Sequence, residues 1–213
     1  ALFPPDNVIK YNYLEGIMIY TIQDLLSQNK NYSDIRGKIS RDLRDGKIIQ
    51  IKKGLYESDK NTPGHYLASY IYGPSYLSFD YVLSKNGLIP EGVYKTYTSA
   101  TFKKNKKKKY SNFFGDFLYR DVPQSVYMFG VQAVVENGYT YHIAIPEKAL
   151  CDKLYTMEPA KNLEELKFLL FDDLRINENM FRELDLKFVV EISDKYKSNN
   201  LKLLGKLIKG GGF

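Results

Sequence analysis

Apolar residues recur every four positions at Ile35, Ile39 and Leu43, while Gly37, Ser40, Arg41 and Arg44 lie opposite and Arg36 and Lys38 flank them. That spacing predicts an amphipathic helix from about Ser33 to Asp45, stopped by Gly46. Two further helices are expected ahead of it. Asn7 to Glu15 takes its face from Val8, Ile9, Tyr11 and Leu14, and after the apolar run Ile17 to Tyr20 the hydroxyl of Thr21 caps a helix through Ile22, Leu25 and Leu26. Asn29 to Asn31 reads as a turn. Beyond Gly46, KIIQIK (Lys47 to Lys52) reads as a strand, Lys53-Gly54 as a turn, and Leu55 to Glu57 as a returning strand. Helix, helix, helix, hairpin is the order of a winged helix-turn-helix, expected over residues 1–60.

A polar stretch, Ser58 to Thr62, ends at Pro63-Gly64 and marks the expected boundary to a second domain over residues 61–213. Its first helix runs through Tyr66 to Tyr72 and must end at Gly73-Pro74-Ser75, since the residue before a proline is pushed out of the α region. Ser78 is the expected N-cap of a second helix that carries Phe79, Val82 and Leu83 and stops at Asn86-Gly87. Strands are expected over Gly92 to Thr101, Phe113 to Arg120, Val126 to Val135 (one or two) and Tyr139 to Ile145, with a turn at Asn137-Gly138, making a small antiparallel sheet. Pro146 opens a helix as an N1 residue, with Leu150, Cys151, Leu154 and Met157 as its buried stripe and Lys148 and Asp152 as an i,i+4 pair. From Asn162 the chain reads as helices only: Leu163 to Phe171, Glu178 to Leu184, Phe188 to Tyr196 and Leu201 to Ile208. The expected fold class is α+β, a winged head followed by a sheet flanked by helices with a helical C-terminal cap.

Composition adds bounds. A chain of 213 residues, 44% hydrophobic and 26% charged, can bury a sizeable core. One cysteine forms no internal disulfide, and no apolar run nears eighteen residues, so a soluble, cytoplasmic protein with no membrane partner is expected. The net charge of +6 suits a polyanionic partner. It is unevenly placed: Lys95 to Asp121 holds eight basic and two acidic residues, six of the basic ones in the run Lys103, Lys104, Lys106, Lys107, Lys108 and Lys109. Two readings of that run stay open, a solvated loop tip that keeps a sheet edge soluble and a secondary phosphate-contacting patch that adds affinity without reading sequence.

A helix that buries one aliphatic stripe can lay its other face in the major groove, where arginine forks match guanine edges. Double-stranded DNA is therefore the expected partner. Arg36, Lys38, Ser40, Arg41 and Arg44 are the expected contacts on the helix, and Lys47, Lys52 and Lys53 those of the wing with phosphate. Asp34, Asp42 and Asp45 on the same helix favour the competing reading of a solvated face or a protein-interaction module. Enzymatic chemistry finds little support. No P-loop, GxSxG or GxGxxG occurs, His65 and His142 have no metal-ligand spacing, and Asp116, Glu136, Glu147 and Lys148 lack the alternation of a nuclease site. Neither a cofactor nor a metal is expected.

The wording SYLSFDYVLSKNGLIPE, followed by Tyr97 to Thr101 and later by Ile143 to Asp152 (IAIPEKALCD), resembles the AbiEi-type antitoxins of bacterial abortive-infection, type IV toxin–antitoxin systems. The resemblance runs from about Thr21 to Tyr155. It implies a repressor of its own promoter that counters a nucleotidyltransferase-like toxin, with direct toxin contact left open. The dense lysine run is not carried by the resemblance.

Overall fold

The computed structural model describes residues 19–211, and the helix expected over Asn7 to Glu15 lies outside them. The chain divides into two units, Ala1–Asn61 and Thr62–Phe213.

In the first unit the order is β1 (Ile19–Thr21), α1 (Ile22–Gln28), α2 (Ile35–Arg44), β2 (Ile49–Lys52) and β3 (Leu55–Glu57). Thr21 caps α1 reciprocally: its Oγ1 accepts from the Asp24 N–H at 3.2 Å, and Asp24 Oδ2 accepts from the Thr21 N–H at 2.8 Å. Helix α2 starts at Ile35 because Asp34 is its cap, accepting from the Gly37 N–H at 2.9 Å, and any side chain at Gly37 would collide with that carboxylate. Leu25, Ile39, Ile48 and Tyr56 form the core, with Ile35 and Leu43 packed against it. The expected apolar stripe is thus the one that docks. β1 joins the hairpin to give an antiparallel sheet of order β1-β3-β2.

The second unit is built on a six-stranded sheet. Its elements are α3 (Gly64–Ile71), β4 (Tyr76–Leu77), α4 (Phe79–Lys85), β5 (Thr96–Thr101), β6 (Lys108–Asn112), β7 (Gly115–Asp121), β8 (Val131–Glu136), β9 (Tyr139–Ala144) and α5 (Pro146–Tyr155). The order β6-β7-β5-β4-β9-β8 corrects the expected antiparallel sheet to a mixed one, since β5 pairs with β7, and β4 with β9, in parallel. The other three pairings are antiparallel. Asn137 and Gly138, both at positive φ, make the tight β8–β9 turn. Two strands escape the pattern reading. β4 is too short to alternate, and β6 begins within the lysine run, at Lys108. The C-terminal helices α6 (Leu163–Phe168), α7 (Glu178–Glu183), α8 (Leu186–Ser193) and α9 (Asn199–Lys209) lie close to expectation, α6 continuing into a π turn at Leu169–Asp173 and α8 into a 3-10 turn at Asp194–Tyr196.

At the centre of this unit the expected Lys148–Asp152 pair is entirely buried, at 2.7 Å. Asp152 Oδ1 also accepts from the Tyr196 hydroxyl at 2.6 Å, and Oδ2 accepts from the Tyr76 hydroxyl at 2.9 Å and Ser78 Oγ at 2.7 Å. Lys148 donates a second bond to the Tyr196 oxygen at 2.6 Å. Ser78 therefore occupies the N-cap position of α4, as expected, but gives its hydroxyl to Asp152 rather than to the helix. Burial, with Asp152 alongside, pushes the Tyr76 and Tyr196 phenols well above their ordinary range, so both remain donors. Cys151 beside them is a buried thiol pushed up to about 12 by burial. Removing one partner of such a pair strands the other charge in a dry interior. Asp152→Ala should lower the unfolding free energy by about 3–5 kcal/mol in urea titrations, and a loss below about 1 kcal/mol would show that the network does not hold the unit together.

Candidate nucleic-acid interface

Docking of Ile35, Ile39 and Leu43 leaves Arg36, Ser40 and Arg44, also spaced by four, exposed along the neighbouring arc of α2, with Arg41 exposed beside them. Lys38 is placed differently. It is half-buried, its ammonium is paired with Asp42 one turn on, and it lies 5.5 Å from the centroid of the Tyr32 ring. Asp42 is held below the usual carboxylate range, first by its hydrogen bond from Lys38, and Lys47 approaches its other oxygen at 3.6 Å. Arg44 Nε lies 3.5 Å from Asp45. Lys47 precedes β2, Lys52 ends it and Lys53 sits in the turn, all three exposed. Desolvation lowers the Lys52 ammonium from its ordinary value.

The six lysines of the second unit do not behave alike. Lys109, on β6, is paired with Asp116 at 2.9 Å, and Lys108 beside it is half-buried. Lys104 lies over the Tyr72 ring at 5.4 Å, while Lys103, Lys106 and Lys107 are exposed. The loop that bears them is anchored by Asp121, which accepts from the N–H groups of Lys104 and Asn105 at 2.7 and 2.6 Å and from Thr101 Oγ1 at 2.6 Å. Pattern reading missed Asp121 because the residues it ties together lie sixteen to twenty positions away.

The residues weighed for a nuclease are scattered. Glu147 accepts from the Asp185 N–H, Glu136 from the Tyr141 hydroxyl and Asp116 from Ser111, while Lys148 belongs to the buried network. Among the described residues no three His, Cys, Asp or Glu side chains are grouped to hold a metal ion, and no helix is long and apolar enough to cross a membrane. Comparison with protein-family models gave no match, and neither did comparison with the curated proteins.

His65, on α3, sits among rings, edge-on to Tyr66 at 4.4 Å and Tyr141 at 5.3 Å and near Tyr81 and Tyr97. Burial depresses its pKa to about 4, with Lys85 adding to the effect and Glu136 opposing it. The unfolded chain therefore takes up this proton first. Its contribution to stability is intact above the ordinary value of 6.5 and is lost as pH falls towards 4. Carboxylates held low in the folded state, Glu136 and Asp116 among them, act only below their own ordinary values of 4.5 and 3.8. Stability of the parent should decline between about pH 6.5 and 5, and His65→Phe should flatten that decline in thermal melts. An unchanged slope in the variant would assign the decline to another group.

Proposed function

We propose that this protein is a DNA-binding transcriptional repressor and the antitoxin of a toxin–antitoxin pair. On this reading the first unit is a winged helix-turn-helix that places the protein on its own promoter, and the second unit counters a nucleotidyltransferase-like toxin. The observation that carries the DNA-binding half is the division of α2. Its aliphatic stripe is taken up by the core, so Arg36, Ser40, Arg41 and Arg44 are left exposed, with Lys47 exposed just before the hairpin and Lys52 and Lys53 exposed on it. The order strand, helix, helix, hairpin, with β1 closing the small sheet, supports the same reading. The antitoxin half rests on the wording around Ser75 to Glu91 and Ile143 to Asp152.

In this reading the arginines discriminate and the lysines hold. Arg41→Ala with Arg44→Ala should weaken binding to the upstream DNA by about 1–3 kcal/mol for each base that an arginine reads, measured in gel shifts, with the fold unchanged. A double variant that binds as tightly as the parent would take reading away from α2, and the head would then be a protein-interaction module. Replacing Lys106 and Lys107 with glutamine should weaken specific and random duplexes alike and flatten the slope of log K against log salt by about 0.9 for each phosphate these lysines neutralise. If the slope does not change, they do not touch duplex DNA.

A further inference from the structure

Strand β7 turns Phe117 and Tyr119 to the face covered by α3, where the Tyr119 hydroxyl donates to the Ala68 carbonyl at 2.6 Å. Alternation puts Leu118 and Arg120 on the opposite face, beside Thr98 and Ala100 of β5, with Thr96 further along the same face. Helices α4 and α5 leave part of that face open as a cleft of about 400 Å³. Phe79, Val93 and Leu118 give it apolar walls, and Asp80, paired with Lys153 at 2.6 Å, gives it a polar corner. Tyr94 stands at its rim, 83% exposed. Phe79 is itself unusual: it is buried and holds a φ of 56°, a conformation that costs an aromatic residue free energy and that tends to mark functional sites.

Arg120 also lines a second recess, of about 330 Å³, together with Lys106, Lys107 and Thr156. Its one hydrogen bond there is a long one, 3.4 Å, to the Thr156 hydroxyl. Asp121 lines the recess too, but its carboxylate is occupied in anchoring the lysine loop. That anchor holds Lys103 and Asn105 at positive φ and so fixes the loop whose Lys106 and Lys107 share the recess with Arg120. Among the described residues, none of these three cations has a carboxylate partner. Three cations without a salt-bridge partner therefore line a recess beside an apolar chamber of small-molecule size, against the single charge of Asp121, whose oxygens are turned to the loop N–H groups and Thr101.

We infer that the two clefts that Arg120 borders together bind a nucleoside di- or triphosphate. The base lies in the apolar chamber, stacked on Tyr94 and bonded at its edge by Thr96 and Asp80, and the phosphates lie between Arg120, Lys106 and Lys107. A bare phosphate would use only the cationic recess, and a duplex could not enter the chamber. This site lies within the second unit; Lys106 and Lys107 are also the lysines proposed above to touch duplex phosphate, so the test turns on Arg120 and Tyr94, which that proposal does not use.

The test is calorimetric titration of the full chain with ATP, GTP, CTP and UTP, and with pyrophosphate and a short single-stranded oligonucleotide as comparators. At least one nucleoside triphosphate should bind more tightly than pyrophosphate and the oligonucleotide. Arg120→Gln should weaken it by about tenfold or more, leaving the gel shift with duplex DNA unchanged. Tyr94→Ala, at a position 83% exposed and outside the core, should weaken the nucleotide while leaving pyrophosphate binding as it was. The inference is overturned if no triphosphate binds at about 1 mM, if pyrophosphate binds as well as any of them, if the oligonucleotide out-binds them, or if neither variant weakens binding. Loss of operator binding in the Arg41 and Arg44 variant with nucleotide binding retained would leave this inference standing.

Discussion

One buried carboxylate sets the layout of the second unit. Asp152 has no water to turn to, so both its oxygens must be met by protein donors, and the four it receives come from β4, the N-cap of α4, α5 and the 3-10 turn after α8. Hydrophobic packing alone would let those elements slide. The demand for Lys148, Tyr76, Ser78 and Tyr196 at one point fixes their register, because any shift would leave a charge unpaired in a dry interior. The consequences reach the surface. Ser78 supplies its hydroxyl inward, Phe79 follows at positive φ, and α4 leaves open the sheet face where Leu118 and Arg120 emerge.

The first unit is held by different means. Its helices are short, and each is secured at its start by a side chain: Thr21 with Asp24 on α1, Asp34 on α2. Capping at Asp34 also sets the phase of α2. With the start fixed, the fours at Ile35, Ile39 and Leu43 face the core, and the fours at Arg36, Ser40 and Arg44 stay exposed. The acids on this helix subtract from its charge unequally. Asp42 takes Lys38 and draws Lys47, whereas Arg36 and Arg41 have no carboxylate partner among the described residues.

Local signals were legible and distant ones were not. Thr21 as a cap, Gly46 and Gly87 as stops, the Asn137-Gly138 turn and Pro146 at a helix start all act within a few residues, and each is where its spacing puts it. Lys148 and Asp152 were readable as a pair because they lie one turn apart, but their burial depends on Tyr76 and Tyr196, which are remote in the chain. The lysine run showed its charge but not its shape. Asp121 bends it into an anchored loop, and pairing with β7 draws Lys108 and Lys109 into a strand. Arg120 carried no signal at all, since one arginine in a strand acquires meaning only from the two clefts it borders. The parallel pairings were hidden for the same reason: β4 is two residues long, and nothing in two residues specifies a partner.

On the function proposed above, DNA placement falls to the first unit and neutralisation of the toxin to the second, which has its own sheet, helices and buried network. The most direct test is co-expression of residues 62–213 with the neighbouring toxin gene, beside a fusion of the upstream promoter to a reporter. The fragment should protect the cells while the reporter, silenced by the full chain, stays on. A fragment that is folded by circular dichroism yet fails to protect, or that silences the promoter as the full chain does, would contradict the division of roles.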